Sequence, residues 1–90
     1  MNLKYISKIL SDNLPSDLMV NETAYMMVSG DVHVSFYLVR DTRYPEYFLV
    51  VNLANDMNIE TLLEIPRASL TEETLLKAIR FFNKTCEKYL

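Results

Sequence analysis

Apolar residues recur along this chain with two different periods, and the points where the period changes divide it into elements. In residues 2–13, Leu3, Ile6 and Leu10, with Ile9 beside them, fall at the three-and-four spacing of one helix face, and Asn13-Leu14-Pro15 ends the pattern. From Leu18 the period becomes two: Val20, Ala24, Met26 and Val28 fall on one side, and Asn21, Thr23, Tyr25, Met27 and Ser29 on the other, which predicts one strand. Gly30-Asp31 follows, and a glycine at the first central position of a two-residue turn predicts a type II′ hairpin. The second strand, Val32 to Arg40, puts Val32, Val34, Phe36 and Leu38 on one face and His33, Ser35, Tyr37 and Val39 on the other.

The segment Asp41 to Glu46 breaks this run, and its Pro45 could not donate to a central ladder. A third strand, Tyr47 to Ala54, should pair antiparallel with the second, and Asn55-Asp56-Met57-Asn58 is turn chemistry. Ile59 to Ile65 fits either one and a half helical turns or a strand in which Ile59, Thr61, Leu63 and Ile65 alternate; the strand, ended by Pro66, is favoured. Thr71 can cap a final helix whose first turn holds Glu72 and Glu73, with Leu70 placed to meet Leu75 as a hydrophobic staple. Leu75, Ile79, Phe82, Cys86 and Tyr89 then recur on one face, and Glu73 and Lys77 stand four residues apart. The order α-β-β-β-(β)-α predicts an α+β fold over residues 1–90, one domain: an antiparallel three- or four-stranded sheet with an N-terminal and a C-terminal helix laid across one face.

That arrangement leaves the other face of the sheet open, and a solitary domain should make it polar. In this reading Tyr25, Met27, Tyr37, Val39, Phe48 and Val50 occupy it instead, an apolar patch of the size that marks a partner site. The alternative is one helix on each face, which would make all six ordinary core. A second candidate is the loop from Arg40 to Tyr47, which gathers Arg40, Arg43, Tyr44 and Tyr47, residue types that dominate interface hot spots. Its bland reading is a surface loop with an internal Arg–Asp pair.

Composition narrows the partner. Twelve acidic against nine basic side chains give a net charge of −3, and the basic residues are separated singles or lie along the last helix, so direct nucleic-acid binding is disfavoured. No stretch approaches the roughly 20 apolar residues of a membrane span, and Met1 to Leu14 is interrupted by Lys4, Lys8 and Asp12, unlike a signal peptide. The single cysteine cannot close an internal disulfide, which favours a reducing, cytoplasmic setting.

Chemistry is sparse. One histidine and one distant cysteine cannot build a metal site, and one glycine cannot build a phosphate cradle, so no metal and no cofactor are expected. Ser29, Asp31 and His33 lie within one hairpin, where neighbouring strand residues point to opposite faces. Cys86 lies on the apolar stripe of the last helix, as an inert structural thiol would. Nothing in this set assembles an enzyme.

The stretch Leu63-Glu64-Ile65-Pro66-Arg67-Ala68-Ser69-Leu70-Thr71-Glu72-Glu73-Thr74-Leu75-Leu76-Lys77-Ala78-Ile79, a last strand running into a threonine-capped terminal helix, resembles the type III secretion chaperone and YbjN-type group. The resemblance implies a non-enzymatic protein binder, often dimeric. Residues and resemblance together give the expectation of an adaptor, chaperone or inhibitor that binds a protein through the second sheet face and the 40–47 loop. A small immunity protein or a phage-encoded inhibitor of a host system would look the same. A homodimeric structural or regulatory subunit using that face as its seam is the competing expectation, and a small-molecule sensor with Tyr25, Tyr37 and Phe48 as an aromatic pocket is a third.

Overall fold

The computed structural model describes residues 3–21, 24–40 and 47–90. Helix α1 (Leu3–Asn13) is followed by β1 (Met19–Asn21), β2 (Ala24–Ser29), β3 (Val32–Arg40), β4 (Tyr47–Ala54) and β5 (Ile59–Ile65), then a short 3-10 turn at Arg67–Ser69 and helix α2 (Glu72–Tyr89). The strands form one five-stranded antiparallel sheet in sequence order, β1-β2-β3-β4-β5. The fold is α+β, as the alternation predicts. The segment 59–65 is a strand and not a helical turn and a half, but a register shift within it puts Ile59 and Thr61 on one face and Leu63 and Ile65 on the other.

Two expectations need correction. The run beginning at Leu18 is not one strand but two, β1 and β2, paired antiparallel with Asn21 opposite Ala24. Asn21-Glu22-Thr23 puts three polar residues in a row, which breaks the alternation and leaves no apolar side chain for the core where an unbroken strand would need one. The described strands therefore number five, the expected sheet with the short β1 added at its edge. The second correction concerns register. Ser29 pairs with Val32 across the Gly30-Asp31 turn, which sets Met27 opposite Val34 and Tyr25 opposite Phe36. Tyr25 and Met27 accordingly share a face with Val34 and Phe36, and Ala24, Met26 and Val28 take the opposite one. Gly30 has a φ of +57, the left-handed conformation that such a turn requires.

Both helices pack on the face defined by Phe36. The single core draws Ile6, Ile9 and Leu10 from α1, and Leu75, Ala78, Ile79 and Phe82 from α2. The sheet supplies Tyr25, Val34, Phe36, Leu38, Leu49 and Val51. Phe36 lies at the centre, edge to face with Tyr25 on one side (centroids 6.3 Å apart) and with Phe82 on the other (5.9 Å). Each such buried side chain contributes roughly 1.5–3 kcal/mol relative to exposure.

Local chemistry fixes the ends of the elements. Thr71, extended at φ −120 and ψ 172, caps α2: its hydroxyl accepts the Thr74 amide at 3.3 Å and its own amide donates to Thr74 Oγ1 at 2.8 Å. Thr74 thus fills the place that Glu or Gln holds in the usual capping box. Leu70 and Leu75, the expected staple, are both buried. Asn55 Oδ1 accepts the amides of Met57 and Asn58 at 2.9 and 3.0 Å and closes the β4–β5 turn. A register shift at Val51/Asn52, where Val51 pairs with Leu63 and Asn52 with Thr61, leaves Leu62 as the extra residue of a bulge. Tyr5 Oη donates to the Glu72 carboxylate at 2.8 Å, tying α1 to the first turn of α2, and that bond and the negative charge raise the Tyr5 pKa.

Candidate functional site: the open face of the sheet

Because side chains alternate along each strand, the residues between the core positions all point away from the helices. The register arranges them in rows across the sheet. Val28, His33, Ala54 and Ile59 form one row, and Met19, Met26, Ser35, Asn52 and Thr61 the next. A third contains Ala24, Tyr37, Val50 and Glu64, and a fourth Val39 and Phe48. Among the described residues no element lies over these rows.

The face is apolar and poor in charge. Met26, Tyr37, Val39, Phe48 and Val50 are half-buried, whereas Met19 (65%), Val28 (40%) and Ile59 (70%) stand well exposed at its margins. Glu64, at the β5 edge, is the one formal charge at neutral pH among the described positions of these rows, apart from the imidazole of His33. At the centre, Ser35 is small and 3% exposed, and Asn52 accepts the Thr61 hydroxyl at 2.8 Å, so the polar groups of the middle row are sheltered or paired within the sheet. Toward β1, Met19, Ala24, Met26 and Tyr37 with Val20 border a shallow cavity of about 280 Å³.

The expected patch therefore exists in altered membership. Tyr37, Val39, Phe48 and Val50 lie on it together, since Tyr37 pairs with Val50 and Val39 with Phe48. Tyr25 and Met27 do not. Tyr25 is 8% exposed and sealed against Phe36 beneath the helices, and Met27 packs against the core. Their places are taken by Met26, Val28 and Met19, which the single-strand reading did not place there. The aromatic pocket of Tyr25, Tyr37 and Phe48 cannot form, because Tyr25 is on the other side of the sheet. The signal that finds the right set is arithmetic: a two-residue turn at Gly30-Asp31 forces paired residue numbers to sum to one constant, which puts Tyr25 behind Phe36.

The 40–47 loop contributes less to the picture. Arg40 and Tyr47 form the last backbone pair of β3 and β4. Their side chains, and Arg43 and Tyr44 entirely, lie outside the described residues.

Reactive groups do not converge. Ser29 is on the helix side of β2 and His33 on the open side of β3, so the two cannot meet. Cys86 is a free, half-buried thiol that burial, with added repulsion from Asp17 and Glu87, pushes up to about 11, leaving it protonated and weakly nucleophilic at neutral pH. Among the described residues no group of three or more His, Cys, Asp or Glu side chains is placed to hold a metal ion, and no helix is long and apolar enough to cross a membrane. No protein-family model, curated protein or solved structure matches the chain.

Proposed function

We propose that this chain is a non-enzymatic, cytoplasmic protein-binding domain, an adaptor, chaperone or inhibitor, that docks a folded protein partner on the open face of its sheet. The observation that carries the reading is the charge-poor surface built by Met26, Tyr37, Val39, Phe48 and Val50, which no described element covers. Charge depletion with aromatic and methionine enrichment distinguishes the centre of an interface from ordinary surface. An open apolar surface whose described cavity is shallow suits a protein and not a small molecule, which favours enclosure. The partner's matching surface should be apolar too, since a charged one would lose its hydration here without gaining a counter-charge.

The test is cross-linked capture from the native host with the wild-type chain and with Tyr37→Asp and Phe48→Asp. The reading expects one stoichiometric protein captured by the wild type and lost by both variants, while their circular dichroism stays unchanged. Capture that survives both substitutions contradicts it. A sedimentation mass showing a tight dimer that either substitution dissociates would assign the face to a second copy of the chain instead.

A further inference from the structure

Five strands are wider than two helices. Neighbouring strands lie about 4.8 Å apart and packed helices about 8–10 Å apart, so each helix roofs roughly two strands. α2 packs on β3 with α1 beside it, and Leu10 of α1 and Leu14 just after it border one cavity with Val20 and Tyr25 of β1 and β2. On this count β5 lies one helix-width beyond α2, with its helix side unroofed. Leu62, Leu63 and Ile65 are accordingly only half-buried, although they face the side of the sheet that carries the core or stand at the bulge beside it.

Between β5 and α2 runs a furrow of two adjoining cavities. One, of about 310 Å³, is bordered by Leu63, Ile65, Thr74, Lys77 and Ala78. The other, of about 290 Å³, is bordered by Leu62, Lys84, Thr85, Lys88 and Tyr89. Phe81, 37% exposed, lines both. Its floor is apolar and its α2 bank is basic: Lys77, Lys84 and Lys88 recur at helical spacing, and no carboxylate is among the lining residues of either cavity. In a chain with twelve acidic and nine basic side chains this is a local reversal of charge.

Nearby acids do not cancel it. Glu73 pairs with Lys77 at 3.3 Å, but both side chains are largely exposed and such a pair is easily exchanged. Glu64 faces the opposite side of the sheet with Val50, and Glu60, on the helix side opposite Leu53, stands two residues beyond Leu62 and outside the lining of both cavities. Lys88 Nζ rests 5.2 Å from the Tyr89 ring centroid.

We infer that this furrow takes an acidic amphipathic helix of a protein partner, laid beside α2 over β5. Its apolar stripe meets Leu63, Ile65 and Phe81, and its Asp or Glu residues face Lys77, Lys84 and Lys88. The site lies on the other side of the sheet from the open face and uses none of its residues, so it stands apart from the docking reading above.

A displayed library of helices with a fixed leucine stripe and randomised flanks, selected against the full chain, tests this. Selected peptides should carry Asp and Glu on the flank facing α2. The tightest should bind about tenfold or more weakly to the Lys77→Glu, Lys84→Glu, Lys88→Glu triple variant, a change of exposed side chains that leaves the core intact. The same loss of affinity should appear between about 50 and about 500 mM salt. Binding to Tyr37→Asp should be unchanged. Flanks without acidic enrichment, binding indifferent to the three lysines, or binding abolished by Tyr37→Asp would each overturn the assignment.

Discussion

Tyr25 stands directly opposite Phe36 across the β2–β3 ladder, and the two rings meet edge to face with centroids 6.3 Å apart beneath the helices. Next to Phe36 along β3, Tyr37 points the other way, into the face that no described element covers. One register decides which tyrosine is core and which is surface, and a slip by one residue would exchange them.

The two tyrosines should therefore respond differently to truncation. Tyr25→Ala removes a ring packed in the core and should cost roughly 3 kcal/mol or more of unfolding free energy, whereas Tyr37→Ala should cost about 1 kcal/mol or less, as a surface change does. Urea unfolding of the two variants measures the difference; equal losses would mean that the register is wrong.

Much of this architecture is legible in the residues, and the exceptions have physical causes. Helix α2 is plain from Thr71, the acidic first turn and the stripe from Leu75 to Phe82, because capping and periodicity agree there. The β3–β4 pair follows from alternation on both sides of Pro45. β1 was hidden because a strand of three residues cannot establish a period, and only the polar run Asn21-Glu22-Thr23 betrays the reversal. Alternation alone does not place Tyr25 and Met27, because it says which residues share a side but not which side meets the helices. The turn length settles that, through the pairing of Ser29 with Val32. The furrow over β5 depends on how far α2 sits from the sheet edge, a tertiary distance that no local pattern encodes.

Gly30 holds the hairpin that sets this register. Its φ of +57 is left-handed, while a Cβ built there would meet nothing within 4 Å. Gly30→Ala should thus cost about 1–2 kcal/mol from backbone strain alone, and Gly30→Asn less, since asparagine tolerates this region. Thermal unfolding of the pair checks the order; an alanine variant as stable as the wild type would show that the turn adopts another geometry.

Cys86 gives a pH-dependent signature. Its thiol is pushed up to about 11 in the folded chain, chiefly by burial, against about 8.5 when unfolded. The folded state binds the proton more tightly, so this group's contribution to stability is complete below the unfolded value and is lost as pH rises toward and through about 11. Relative to Cys86→Ala, the wild type should lose urea resistance between about pH 8.5 and about pH 11. At pH 8 its disulfide-exchange labelling should be slower than in the unfolded chain by on the order of 100-fold. Equal labelling rates would place the thiol in solvent.

The described elements leave one apolar face of the sheet bare. Hydroxyl-radical footprinting of the native protein, at a concentration where its sedimentation mass is monomeric, tests this side chain by side chain. Met26, Tyr37 and Phe48 should oxidise at rates several times that of Tyr25, which is sealed against Phe36. Protection of Tyr37 and Phe48 equal to that of Tyr25 in the monomer would mean that the face is covered from within, and would contradict the account.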